Sequence, residues 1–441
     1  MEITPIGFAG IALALFGFLL RPRLLFYAGV FFVPFSATTV VNLTAASFGL
    51  TLSIFFFFAF ALAQLMQGGK DLRAGIAPAQ LVPVAALVCL LAAIVASLVP
   101  AVLENRLEPV SVRMSVYVSA NAAILMLVVL TVDRPERLTA VLRVQAASML
   151  CVALWGLFQF VCSQTGLEYP GWIFNTSVSD ASQFFGVETD EGYVRIGSAA
   201  VEPSILVQSL AWQLAALGTL LVTGSRRAGR LAPWAAAAAS ICIVLSTSTT
   251  GYVLLGVLAA LLFLERPGRF LVMALGVLLA GAVLVAVEPR LLNAIVENTV
   301  DKGSSWSFSD RTETVIIGVQ TFMEHPLLGA GWASVRSYSV AVFYLANSGL
   351  VGMAAYAGLV LTLFAALTLR GRSAADGEEG LVCRGLRNAL IVSLSGQLVA
   401  GSTHVFGDFW VLCGLCVAAI GMVQPAERPK RPAAQRVEGT V

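Results

Sequence analysis

Apolar residues in this chain come in continuous runs rather than in alternation. Thirteen runs recur from end to end, at 3–20, 24–42, 47–67, 80–100, 114–132, 140–160, 204–222, 231–247, 250–264, 270–287, 346–369, 386–402 and 409–423. Each is long enough to cross a hydrocarbon core of roughly 30 Å as a helix. Backbone groups in lipid must be satisfied within the segment, and no run shows the period-2 pattern of a barrel strand. The predicted fold is therefore all-α, a polytopic membrane helical bundle of about 12–13 transmembrane helices. The first run follows Met1-Glu2-Ile3-Thr4 with no basic leader and no A-x-A site, so it is expected to be a retained helix rather than a signal peptide.

Composition agrees with lipid as the main solvent. Of 441 residues, 58% are hydrophobic and 12% charged, with mean hydropathy +0.86. A soluble chain of that length could not hide so much apolar surface. Most of the 27 basic residues fall on alternate connections: Arg21 and Arg23; Lys70 and Arg73; Arg134 and Arg137; Arg226, Arg227 and Arg230; Arg266 and Arg269; Arg370, Arg372, Arg384 and Arg387; and the tail from Arg428 to Arg436. The positive-inside rule makes that side cytoplasmic, with the N-terminus outside and the C-terminus inside. The net charge of +2 thus sits on inner loops and gives no reason to expect nucleic acid. The seven cysteines fall mostly within helices, reading as small core residues rather than as a disulfide frame or CxxC metal site.

Two outer segments, 161–203 and 288–345, are much longer than a turn needs, and segments of that kind are commonly functional. Their aromatic residues, among them Trp172, Phe174, Tyr193, Trp306, Trp332 and Tyr338, favour folded caps over disorder. The organisation expected is one transmembrane domain over 1–423, with the two segments forming its site, and a disordered cytoplasmic tail at 424–441. Neither a Walker A stretch nor a GxGxxG after a strand is present, so nucleotide binding has no support.

Scarce outer arginines concentrate in these segments. Residues 310–323 are expected to form a helix with Asp310, Arg311 and Glu313 in its first turn, ended by His325-Pro326 and followed by a Gly329-Ala330-Gly331 turn toward Arg336. In the first segment, Pro203 suits the first turn of the next helix, which puts Glu202 at its cap and Arg195 shortly before it. Arginine presents a planar, permanently charged fork that grips phosphate oxygens two at a time, so both segments point to a lipid-linked diphosphate reached from the bilayer plane. With two histidines and no carboxylate pair at metal-ligand spacing, no metal and no cofactor are expected, and arginines would stabilise the leaving group.

The string "RTETVIIGVQTFMEHPLLGAGWASVRSYSVAVFYLANSGLVGMAAY" resembles the signature region of the O-antigen ligase and Wzy polymerase superfamily: an Arg before an amphipathic helix, a PLLGxG turn, then a GLxG helix start. "VRIGSAAVEPSIL" and "VLSTSTTGYVLLGVLAALLF" are similar to two further segments of that family, and the likeness covers roughly residues 190–370. The resemblance implies a GT-C-type glycosyltransferase. Such an enzyme moves a glycan from undecaprenyl diphosphate to an acceptor hydroxyl on the periplasmic face of the bacterial inner membrane, with inversion and without metal or nucleotide. Arg195, Arg311 and Arg336 would hold the diphosphate. Ligases of the family place a His where this chain has Tyr338, followed by Ser339. A phenol ionising near pH ~10 is a poorer base than an imidazole near ~6.5. Polymerases often lack that His, which favours polymerisation of repeat units, with Glu202 as the base and possible help from a chain-length regulator.

The remaining candidates for substrate contact are Tyr338, Ser339, Trp332, His325, Glu313 and His404. Four have a plainer alternative: His325 as a helix C-cap, His404 in a structural pair with Asp408 four residues on, and Trp332 and Tyr338 as interface aromatics. Ser246, Ser248, Thr249 and Thr250, at a hairpin tip, are expected to satisfy backbone groups. Two rivals to the polymerase are a ligase to lipid A core or protein, and a transporter of lipid-linked sugars. The transporter is disfavoured because the helix middles are nearly free of charge.

Overall fold

The computed structural model describes residues 1–44, 48–73, 75–103, 107–178, 188–189, 192–304, 306–374, 377–401 and 406–422. His404 and the tail 424–441 lie outside these residues. The chain folds as a helical bundle. Its helices are α1 (Pro5–Leu20), α2 (Pro22–Phe31), α3 (Leu52–Met66), α4 (Leu81–Leu103), α5 (Pro109–Thr131), α6 (Pro135–Thr165), α7 (Pro203–Thr223), α8 (Ala232–Leu245), α9 (Thr249–Glu265), α10 (Pro267–Val287), α11 (Arg290–Thr299), α12 (Trp306–Glu324), α13 (Val340–Ser373), α14 (Glu378–Ala400) and α15 (Gly407–Met422). Every predicted apolar run contains a helix. Six of them, α4, α5, α6, α7, α10 and α13, are long and apolar enough to cross a membrane, and α1, α3, α8, α9 and α15 are shorter apolar helices.

Proline sets many of the starts. It opens α1, α2, α5, α6, α7 and α10, where its fixed φ suits the first turn and its missing N–H would have had no partner. The run 24–42 is the main departure from the expected helices. Its helix stops at Phe31, and the β-branched stretch after Pro34 forms β2 (Thr39–Leu43) between β1 (Glu2–Ile3) and β3 (Phe48–Thr51), antiparallel to both. Hydrophobicity alone could not separate that strand from a helix.

Helix α7 is the axis of the bundle. It packs against α14, α9, α8 and α6, and all its residues but Leu221 and Thr223 are buried. Helix α10 is the opposite case, more apolar still and with no buried residue, as expected where lipid rather than protein is the neighbour.

The connections carrying most basic residues share one end of the bundle, here the basic end. Arg23 pairs there with Asp71; Arg137 with Asp133 at 3.2 Å; Arg227 with Glu379 at 2.7 Å; and Arg384 and Arg387 with Glu265 at 3.2 and 3.0 Å. The two long segments occupy the other end, the loop end.

Candidate functional site

The stretch leading into α7 is fixed from below by α6. Gln159 accepts the N–H groups of Gly197 at 3.1 Å and Ser198 at 2.8 Å, and the Ser198 hydroxyl donates to the Val152 carbonyl at 2.7 Å. Asn175 donates to the Ser198 carbonyl at 2.8 Å, and the Tyr193 hydroxyl donates to Leu245 at 2.7 Å. Ser198 is held at φ +51, in the left-handed region. Arg195 and Glu202 flank this pinned stretch. Glu202 is the N-cap residue of α7 with extended backbone, and its carboxylate accepts from Ser204 rather than from the helix amides.

The second long segment closes on itself. Helix α12 begins earlier than predicted, at Trp306, and ends as predicted before His325-Pro326. The chain then docks against a break in α13. At Gly349 the backbone turns to φ +63 and ψ −162, so the amides of Leu350 and Val351 are free to donate to the carbonyls of Pro326 at 2.9 Å and Leu327 at 3.2 Å. A Cβ at Gly349 would lie 2.2 Å from the Leu327 oxygen, so only glycine fits both the turn and the approach. The GLxG signature is thus the seat of the PLLG turn.

From there the chain returns to the start of α12. Arg336 lies 4.0 Å from the Asp310 carboxylate, and the guanidinium groups of Arg311 and Arg336 both lie over the Tyr338 ring, 5.0 and 4.6 Å from its centroid. Arg336 also donates to the Tyr338 hydroxyl. Arg311 reaches the carbonyl of Val399, near the end of α14, at 3.4 Å. Tyr338 and Ser339 therefore stand at the site, and Ser339 is the N-cap residue of α13.

The two segments meet electrostatically. Burial pulls the Arg195 guanidinium below its ordinary pKa; the Glu202 carboxylate opposes this, and Arg311 adds to it. Arg311 is lowered first by burial and also by Arg336, against Glu202 and Asp310. Lys302, in the short 3₁₀ turn Asp301–Ser304, is pushed down to about 8 by burial and by the neighbouring Arg311 and Arg195. Glu297 on α11 also acts on Arg195. Arg195, Lys302, Arg311 and Arg336 thus lie among Glu202, Glu297 and Asp310 at the loop end, where Arg290 and Glu288 form a separate pair at 2.8 Å. Arg195 and Arg311 make no ion pair among the described residues, and the Arg195 Nε is buried without a hydrogen-bond partner. A buried donor left this way is costly unless an acceptor arrives.

Other candidates fall elsewhere. Trp332 is 1% exposed, with Phe343 and Tyr344 against its ring, so it is a core residue and not a face for a sugar. His325 lies beyond the far end of α12, roughly 20 Å from Arg311 at 1.5 Å per residue, and its carbonyl accepts from Gly329 as the turn closes. Glu313 is exposed, two residues and so about 200° around α12 from Arg311. Asp408 accepts from Ser209 at 2.6 Å and from Trp212 at 3.0 Å, both on α7. At the hairpin tip, Ser246 and Thr249 donate to the backbone carbonyls of Ile243 and Asn298, as expected.

Sequence reasoning missed Lys302, Glu297 and Asn347. The first two were single charges in a polar stretch, visible only once α11 folds back over Arg195. Asn347 did carry a signal, as a carboxamide interrupting an apolar run just before Ser348-Gly349. Thr247 and Ala333, at φ +46 and +58, join Ser198 as the non-glycine residues in the left-handed region among those described, and all three flank the site.

Among the described residues, no group of three His, Cys, Asp or Glu side chains is placed to hold a metal ion. Residues 234–366 match the O-Antigen ligase family model, from α8 into α13, as the sequence resemblance led us to expect. That span includes Lys302, Arg311, Arg336, Tyr338 and Gly349, and leaves Arg195 and Glu202 outside it. No curated protein matches the chain.

Proposed function

We propose that the chain is a polymerase of undecaprenyl-diphosphate-linked oligosaccharide repeat units, acting by metal-independent inverting glycosyl transfer at the periplasmic face of a bacterial inner membrane. The N-terminus faces the periplasm and the C-terminus the cytoplasm. The observation that carries this reading is that Arg195, from one segment, shares its electrostatic surroundings with Arg311 and Lys302 from the other, beside Arg336, while its own buried Nε has no hydrogen-bond partner.

In this reading the guanidinium groups receive the diphosphate of the donor, with Lys302 as a fourth cation. The acceptor hydroxyl oxygen attacks the anomeric carbon, the bond from that carbon to the phosphate oxygen breaks, and the electron pair leaves on the diphosphate. The hydroxyl proton passes to Glu202. Charge developing on the leaving group meets donors already fixed in place, which is where electrostatic catalysis is strongest. Tyr338 and Ser339 border the acceptor side.

A second reading, transfer of a finished glycan to lipid A core or protein, is favoured by the matched family's description as a ligase. Surface glycan from a deletion strain separates the two. Single repeat units accumulating supports polymerisation, and untransferred long chains support ligation. Normal chain length in Arg195→Ala and Arg311→Ala cells with normal expression would refute both.

A further inference from the structure

We propose that Asn347 is the positioning residue of Arg336. Asn347 is fully buried on the first part of α13. A carboxamide offers two acceptor positions and two donors, and here both donors and the acceptor oxygen are engaged, the Ser334 hydroxyl sharing its proton between Asn347 and the Gly331 carbonyl at 2.9 Å. Its Oδ1 accepts the Val335 N–H at 2.8 Å and the Ser334 hydroxyl at 3.2 Å. Its Nδ2 donates to the Val335 carbonyl at 2.8 Å and to the Phe343 carbonyl at 2.8 Å. Asn347 therefore grips both polar groups of one peptide residue, as a neighbouring strand would, and that residue immediately precedes Arg336.

A second anchor lies just beyond. Gly401, after α14, is at φ +76, and a Cβ there would come within 2.6 Å of the Tyr338 Cα. Arg336 is thus held between a backbone clamp at 335 and a close backbone contact at 338. Its own side chain is 64% exposed, so packing does not orient it. The clamp, together with the Tyr338 ring, directs the guanidinium toward Arg311. The grip needs an acceptor and a donor in one plane: aspartate keeps the acceptor and loses both donors, and alanine loses everything.

This inference rests on the diphosphate reading for its effect on binding, so the test has one readout with ligand and one without. The full chain in lipid nanodiscs is titrated with farnesyl diphosphate as wild type, N347A, N347D, R336A and the two double variants, and amide exchange is followed at residues 334–338. N347D fills the volume that N347A leaves empty, and the thermal midpoint of each variant is read beside binding so that a fold defect is not taken for a lost clamp. We expect each Asn347 variant to weaken binding by about tenfold in the wild-type background and by less than twofold beside R336A, since a residue acting only through another shows no further loss once that other is gone. Amide exchange at Val335 and Arg336 should rise at least tenfold in both variants without ligand. Equal losses in both backgrounds, or unchanged exchange in N347D, would overturn the proposal. Faster exchange with farnesyl diphosphate binding unchanged in R336A itself would leave the clamp standing as a backbone device, but overturn its role in binding and with it the part given to Arg336 in the diphosphate site.

Discussion

At the basic end of the bundle, four half-buried arginines, Arg137, Arg227, Arg384 and Arg387, each face a carboxylate within 3.2 Å. At the loop end, Arg195 and Arg311 are as removed from water and have no such partner. Both ends put guanidinium groups where solvation is poor, yet only at the basic end does each of these arginines close on a carboxylate; Glu202, Asp310 and Glu297 act on Arg195 and Arg311 without forming an ion pair with either among the described residues. Pairing at the basic end is a means of closing helices against each other: Glu265, 7% exposed, ties α9 to α14. At the loop end Arg195 and Arg311 stay without an ion pair among the described residues, although Arg336 lies 4.0 Å from Asp310. The contrast separates arginines that tie helices together from arginines that, under the function proposed above, would meet the donor's diphosphate.

Substitutions at the two ends should therefore fail in opposite ways. The largest effect is expected for Arg311→Ala or Arg195→Ala, with turnover of lipid-linked repeat unit falling by a hundredfold or more, on the order of losing one oxyanion donor. The thermal midpoint of the same variants should hold or rise, because an uncompensated buried charge is removed. A clear drop in midpoint would erase the distinction. Glu265→Ala should reverse the pattern, losing about 3 kcal/mol of stability by stranding Arg384 and Arg387, while turnover per folded molecule stays near wild type. Detergent unfolding together with an elongation assay reads both.

Glu202→Gln sharpens the comparison from within the loop end. Turnover should fall about tenfold, the low side for a general base because diphosphate leaves readily, while farnesyl diphosphate binds more tightly once the opposing carboxylate is gone. Weaker binding would show that Glu202 holds the cations in place rather than offsetting them. The smallest effect concerns Lys302. With its ammonium pushed down to about 8, diphosphate affinity should decline a few fold as pH rises above that value, and Lys302→Arg should flatten the decline. Stability of the free protein runs the other way. The unfolded chain keeps that proton up to its ordinary 10.5, so the folded state gains relative stability as pH rises from about 8 toward 10.5.

Much of this was legible in the chain before it folded. Lipid imposes long apolar runs, so every bundle helix could be located, and α12 announced itself through its charged first turns and the His325-Pro326 stop. The expectation that Arg195, Arg311 and Arg336 come to one place rested on the two long outer segments that carry the scarce outer arginines; burial and the charges around Arg195 were not legible, because they come from residues far apart in the chain. Strand β2 was not legible, because a buried β-branched stretch and a buried helix look alike in hydropathy. Trp332 misled for a related reason: an aromatic residue in a loop reads as available until its neighbours are known, and Phe343 and Tyr344 lie too close in sequence to suggest that they enclose it. Lys302 could not be ranked above other lysines, since its altered basicity comes first from burial and then from two arginines, one of them more than a hundred residues away.

Gly349 and the turn it receives also bear on how the protein can vary. With Leu350 and Val351 bonded to Pro326 and Leu327, the stretch between them is a loop sealed at both ends. Adding or deleting a residue inside it would slide Arg336 off its neighbours. Homologous chains should therefore keep the spacing from Pro326 to Val351 fixed.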